Sequence, residues 1–144
     1  MGQITTALSG FRTVLGNALS LNNIYLQNEN YSATNLEKYI VIFWDSGPKV
    51  VNAGGEKCRS LTLILEVYYK SGPDINADYQ LAADNFLDEV CDAIEDRTNF
   101  DLFQQNASIK FEDITNVQNY PFEIAKPAYY KRIITMNGYI YNVN

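Results

Sequence analysis

The side chains able to do chemistry in this chain are few, and the most ordered of them are carboxylates. Asp84, Asp88 and Asp92 recur at four-residue steps, a spacing that stacks them on one helical face and would suit acid–base or magnesium chemistry if other groups converged on them. Catalytic carboxylates normally meet from several elements inside an apolar cleft, so a single-faced row reads first as a solvated surface. Like charges four apart also destabilise a helix by tenths of a kcal/mol each. A row without interleaved lysines therefore implies a use beyond solubility, and repulsion of a polyanion is one such use.

Other chemistry is thinly supported. The chain has no histidine, which removes the usual general base near neutral pH and the commonest zinc ligand. Neither GxxxxGK[ST] nor GxGxxG occurs, and Gly54-Gly55 reads as turn punctuation. Cys58 and Cys91 lack a short metal-binding spacing and read as two reduced thiols of a cytosolic protein. We expect no catalytic residue, no metal and no cofactor. Tyr68, Tyr69, Tyr129, Tyr130, Tyr139 and Tyr141 lie in or beside expected strands, where such rings either complete a core or meet another protein. Lys131 and Arg132 beside Tyr129-Tyr130 would suit base stacking with phosphate contact, but two cations are a small offering in an acidic chain.

The bulk numbers agree. At 144 residues and 47% hydrophobic content the chain suits one domain, residues 1–144, with one core. Its formal charge of −6 disfavours a sequence-independent grip on nucleic acid. The charge is uneven: from Asp74 to Asp101 nine acidic residues accompany one basic residue, Arg97, while the remainder holds eight acidic and ten basic. No positive leader followed by an apolar stretch is visible, and the apolar run Tyr39 to Trp44 is too short to cross a bilayer, so no membrane partner is expected. Short matches to a myristoylation pattern (Gly2, Thr6) and to glycosylation acceptors (Asn30, Asn106) are of the kind chance supplies.

The elements that must position these groups follow from periodicity. Ile4, Ala7, Leu8, Phe11, Leu15, Ala18 and Leu19 form one helical stripe, in which Gly10 and Gly16 cost up to about 1 kcal/mol each. Asn22 to Lys38 shows no period and reads as a loop. YIVIFW from Tyr39 is apolar on both faces, as a strand covered on both sides requires. The stretch from Asp45 to Lys57, with Gly47-Pro48 and Gly54-Gly55, reads as a long hairpin loop. Leu61, Leu63, Leu65, Val67 and Tyr69 then alternate with Ser60, Thr62, Ile64, Glu66, Tyr68 and Lys70, the clearest strand pattern in the chain. Asn76 can cap a second helix whose apolar side carries Tyr79, Ala83, Phe86, Leu87, Val90, Ala93 and Ile94. The acidic Asp84, Asp88, Glu89, Asp92, Glu95 and Asp96 fall within an arc of about 140° opposite. Strands return around Ile109–Glu112 and Tyr129–Met136, and Asn137-Gly138 signals a two-residue hairpin. Helix, two strands, helix and two to four strands predict an α+β fold: a mainly antiparallel or mixed sheet with two principal helices on one face.

In this order the elements resemble the tail terminator, or tail completion, proteins of long-tailed bacteriophages. The likeness rests on an N-terminal amphipathic helix, a strand pair with a long connection, RSLTLILEVYYKSG running into ADYQLAADNFLDEVCDAIED, and terminal strands ending in YIYNVN. The resemblance implies a structural virion protein of the tail or neck, assembled in the host cytoplasm. Such proteins form a homo-oligomer, a hexameric ring, that caps the tail tube, ends its elongation and offers the surface on which the head connector or neck protein docks. DNA would pass through the ring without specific binding, and Asp84, Asp88 and Asp92 are the candidates to line that channel. The loop with Asp45, Lys49, Val50, Val51 and Lys57 matches the position of an inter-subunit or tube contact. A head–tail joining protein, a tail-tube subunit or an unrelated small-molecule-binding domain are the alternatives.

Overall fold

The computed structural model describes residues 3–27, 29, 36–51, 57–70, 77–99, 101–102, 109–119 and 129–141, with the backbone alone at 3, 48–50, 77–80, 109–119 and 141. The protein is α+β. Helix α1 (Gln3–Leu19) is followed by strands β1 (Ile24–Leu26), β2 (Lys38–Val51) and β3 (Lys57–Lys70), helix α2 (Ala77–Glu95), and strands β4 (Ile109–Asn119) and β5 (Tyr129–Tyr141). The strands form one mixed sheet in the order β1-β2-β3-β5-β4, parallel only between β1 and β2.

β3 is the axis of the sheet. It pairs with β5 without a register break from Cys58↔Tyr141 to Lys70↔Tyr129, and with β2 along its other side. Its alternation sends Leu61, Leu63, Leu65 and Val67 into the main core, where they meet Leu8, Phe11 and Leu15 of α1, Phe86, Val90 and Ile94 of α2, and Ile40, Ile42, Ile134 and Met136 of the neighbouring strands. Each such aliphatic side chain contributes roughly 2 kcal/mol by leaving water. Both helices lie on this one face.

Residues Asn137-Gly138 are not a turn. β5 runs straight through them, with Asn137 opposite Thr62 and Gly138 opposite Leu61 on one side, and Asp113 and Phe111 opposite the same pair on the other. Thr62 Oγ1 donates to Asn137 Oδ1 at 3.2 Å. Strand pairing on both sides overrides a local preference for positive φ.

The stretch from Asp45 to Lys57 is likewise mostly strand. Asp45, Lys49, Val50 and Val51 belong to β2 and Lys57 to β3, with Lys49↔Arg59, Val50↔Cys58 and Val51↔Lys57 in register, while 52–56 lie outside the described residues. Gly47-Pro48 is accommodated as a bulge in which two residues oppose Ser60. Proline, lacking a donor, fits such an irregularity. A Cβ at Gly47 would sit 2.0 Å from Ser60 Oγ, so a larger residue there needs that exposed hydroxyl to turn aside.

The reading of Asn22–Lys38 as loop also changes, because it contains β1, whose Ile24 and Leu26 are buried. Glu29 fixes it: its carboxylate accepts from Leu26 N at 2.8 Å and pairs with Arg12 of α1. The Arg12 bond holds that carboxyl below its ordinary value of 4.5, with the Leu26 N–H helping.

On α1 the stripe holds except at Ala18, which is exposed, while Val14 joins the core. The helix ends in paired closing bonds, Leu21 N to Gly16 O at 2.9 Å and Ser20 N to Asn17 O at 3.4 Å. Ser20 takes the left-handed conformation (φ 52°) that this closure requires. Gly16 serves the same closure, since a Cβ there would lie 2.9 Å from Leu21 O. The expected cap Asn76, the acceptor patterns at Asn30 and Asn106, and Gly2 lie outside the described residues. Because serine is strained where glycine is not, Ser20→Gly should raise stability by about 0.5–1 kcal/mol, read from urea denaturation. A loss of stability would refute this account of the cap.

Candidate assembly surfaces

The acidic arc of α2 divides into two flanks. On the flank toward β5, Asp84 is bonded to Arg132, whose Nε and Nη2 both reach Asp84 Oδ1, at 3.1 and 2.7 Å. Arg132 is only 3% exposed, and its Nη1 also donates to Lys131 O at 3.3 Å. A buried guanidinium requires such a counter-charge. Asp84 is therefore a strut between helix and sheet, although half its side chain still meets water. Asp88 and Asp92 remain exposed, as do Glu89, Glu95 and Asp96. The three predicted lining residues thus share a face, but only two are unencumbered by the fold.

Cys91 lies half-buried among these groups. Burial, then the charges of Glu95, Asp88 and Asp92, push its thiol up to about 11. The thiolate is the reactive form, so this cysteine is chemically quiet near neutral pH. Cys58 is buried, and both thiols are free.

Past the end of α2, an open groove of about 580 Å³ is lined by Gly10, Thr13, Val14, Asn17 and Ala18 of α1 with Asn99 and Leu102. Through Ala18 and Asn99 it continues into a second depression of about 350 Å³ bordered by Glu89, Asp92 and Asp96. Asn99 is held in place by donating from Nδ2 to Ala93 O at 3.0 Å and from its backbone N to Asp96 Oδ1 at 3.1 Å. Small residues on α1 leave this space. The sequence stripe hid it because Ala18 fits an apolar period whether it is covered or not.

At the far end of the β2–β3 hairpin Val51 is 63% exposed beside its cross-strand partner Lys57, itself exposed. Asp45 is exposed at the start of the irregular segment. Lys49 and Arg59 are cross-strand partners in the backbone register, and the Arg59 guanidinium donates from Nη1 to Gly47 O at 3.4 Å.

The helix-free face of the sheet carries a tyrosine cluster, whereas Tyr69 packs near Phe86 of α2 on the other face. Tyr39 and Tyr68 stack at 4.5 Å and 7°, and Tyr129 meets both edge-on at 5.2 and 6.2 Å. Tyr129 OH donates to Leu36 O at 2.7 Å, and burial raises its pKa above the ordinary 10.0. Tyr68 OH donates to Glu66 at 2.6 Å, and Glu66 also pairs with Lys131 at 3.2 Å. Of the five of these tyrosines whose side chains are described, Tyr68, Tyr129 and Tyr130 are buried and Tyr69 and Tyr139 half-buried. Lys131 and Arg132 are both engaged by carboxylates, which removes the pair as a phosphate grip.

Sequence alone did not single out the inward role of Arg132. The signal was present in the alternation that placed it on one face with Ile134 and Met136, since a cation on an apolar face demands an acid across from it.

Among the described residues no group of three or more histidine, cysteine or acidic side chains could hold a metal ion, and no helix is long and apolar enough to cross a membrane. No family model and no curated protein matches the chain. Solved structures do match, 24 chains in all. One, which carries only a serial designation as its name, is 14% identical with a TM-score of 0.53, the match covering 100% of this chain and 98% of that one. At such identity the likeness is one of fold alone.

Two measurements check this geometry. Asp84→Asn, by stranding the buried Arg132, should cost about 2 kcal/mol, less than for a fully buried pair because Asp84 is half in water, while Arg132→Met with Asp84→Leu should recover most of it. A loss under 0.5 kcal/mol in denaturant melts, about the scatter of surface changes, would remove the strut. Cys91, with a thiol at about 11 against an ordinary 9.0, should react with iodoacetamide at pH 8 roughly a hundredfold more slowly than a free thiol. Ordinary reactivity in the Cys58→Ala background would show that the acidic, half-buried setting is wrong.

Proposed function

We propose that this protein is a ring-forming structural component of a long-tailed phage virion, a tail terminator that caps the tail tube and presents the docking surface for the head. The observation that carries the reading is the acidic arc of α2, where Asp88, Asp92 and Glu95 stay exposed behind an apolar face packed in the core. Selection for solubility alone would interleave lysines, whereas a channel through which DNA must slide without sticking uses unrelieved negative charge. The α+β fold with both helices on one face of the sheet accords with the resemblance in element order. In this reading Asp88 and Asp92 line the channel, and Asp84 holds α2 to the sheet. The hairpin end meets a neighbouring copy or the tube. The work is mechanical and electrostatic, and no catalytic group takes part.

The purified chain, alone or with tail tubes, should give hexamer-sized particles in mass photometry and rings in electron microscopy. Rings of Asp88→Lys/Asp92→Lys should retain duplex DNA at low salt and release it as salt rises, while wild-type rings should not retain it. A chain monomeric under all these conditions would end the ring reading. Reversed rings that still ignore DNA would move the arc away from the channel.

A further inference from the structure

We propose that β1 is a releasable strap over the edge of β2, fastened at its far end by the Glu29 carboxylate, and that its release bares this edge while the rest of the fold stands. β1 has three residues, and it meets β2 through the sheet and α1 across the core. Ile40 N donates to Asn23 O at 3.0 Å and Gln27 N to Ile42 O at 2.9 Å. One step further the Gln27 side chain takes the place of a strand, its Oε1 accepting from Trp44 N at 3.0 Å. Glu29 closes the strap: its N donates to Leu26 O at 2.9 Å, and its carboxylate accepts from Leu26 N at 2.8 Å and meets Arg12 of α1. The two charged side chains are 31% and 37% exposed, so water competes for this tie.

The chain is anchored on both sides of the strap by contacts in which β1 takes no part. Before it, Leu21 N closes α1 on Gly16 O. After it, Leu36 O accepts from Tyr129 OH at 2.7 Å, while Glu37 O accepts from Lys70 N at 2.7 Å and its carboxylate from Tyr69 OH at 2.8 Å. β2 itself is paired with β3 from Lys38↔Tyr69 to Val51↔Lys57. Release takes Ile24 and Leu26 out of the main core and Tyr25 off the tyrosine cluster, which keeps the closed state dominant. It uncovers the N–H groups of Ile40 and Trp44 and the carbonyl of Ile42, an edge of the kind to which an extended chain adds. The closed strap withholds that edge.

Amide hydrogen exchange followed by NMR tests the strap, with a control inside the same strand. Successive residues of a strand turn their N–H groups to opposite neighbours, so Val41 and Phe43 face β3 while Ile40 and Trp44 face the strap. In the wild type, Ile40 and Trp44 should exchange at rates nearly independent of dilute urea, as local openings do, whereas Val41 and Phe43 should follow global unfolding. Glu29→Gln keeps an acceptor for Leu26 N and removes the charge. It should speed Ile40 and Trp44 by about fivefold and leave Val41 and Phe43 within about 1.5-fold. Arg12→Met removes the same tie from the α1 side and should give the same selective pattern. Ile40 and Trp44 amides that exchange only with global unfolding would overturn the proposal. So would an effect of either variant that is below about twofold at these two amides, or equal at all four.

Discussion

The unbroken pairing of β3 with β5 is the constraint from which the rest of the structure follows. Because the two strands stay in register from Cys58↔Tyr141 to Lys70↔Tyr129, one alternation governs both, and it sorts side chains to two chemically different faces. One face is aliphatic and receives both helices. The other stacks Tyr39, Tyr68 and Tyr129 beside the Glu66–Lys131 pair. Arg132 is the exception, since its place in the alternation carries a cation onto the aliphatic side. Asp84 answers it, so α2 has a fixed rotation about its own axis as well as a fixed place on the sheet.

That rotation decides what α2 can present. With Ala83, Phe86, Val90 and Ile94 inward and Asp84 tied down, the exposed carboxylates must fall on two flanks, one beside α1 and one toward β5. The same helix can therefore serve two surfaces at once. α1 contributes to this arrangement mainly by what it lacks, because its small residues Gly10 and Ala18 leave room for the groove it shares with Asn99 and Leu102.

Much of this was legible in the sequence, and the failures have physical causes. Period 3.6 in α1 and α2 and period 2 in β3 were strong because each element buries a single face. β1 was invisible because three residues cannot display a period, and its stability comes from the Glu29 carboxylate and the neighbouring β2. Asn137-Gly138 and Gly47-Pro48 misled for one shared reason: turn propensities describe a chain without strand partners, and both dipeptides sit where partners exist. Of the candidate surfaces, the acidic arc could be drawn from a helical wheel, whereas the groove on α1 could not, since it depends on how Asn99 and Leu102 lie against that helix.

The irregularities in the two long outer strands have a further consequence. β2 beyond its short cover by β1 carries the Gly47-Pro48 bulge, and β4 slips register twice, between Phe111 and Asp113 and between Ile114 and Asn116. Sheets spread from molecule to molecule when a flat outer strand offers an even row of free N–H and C=O groups, and bulges spoil that row. Copies of this protein crowded together are thereby steered away from open-ended fibrous growth through strand pairing.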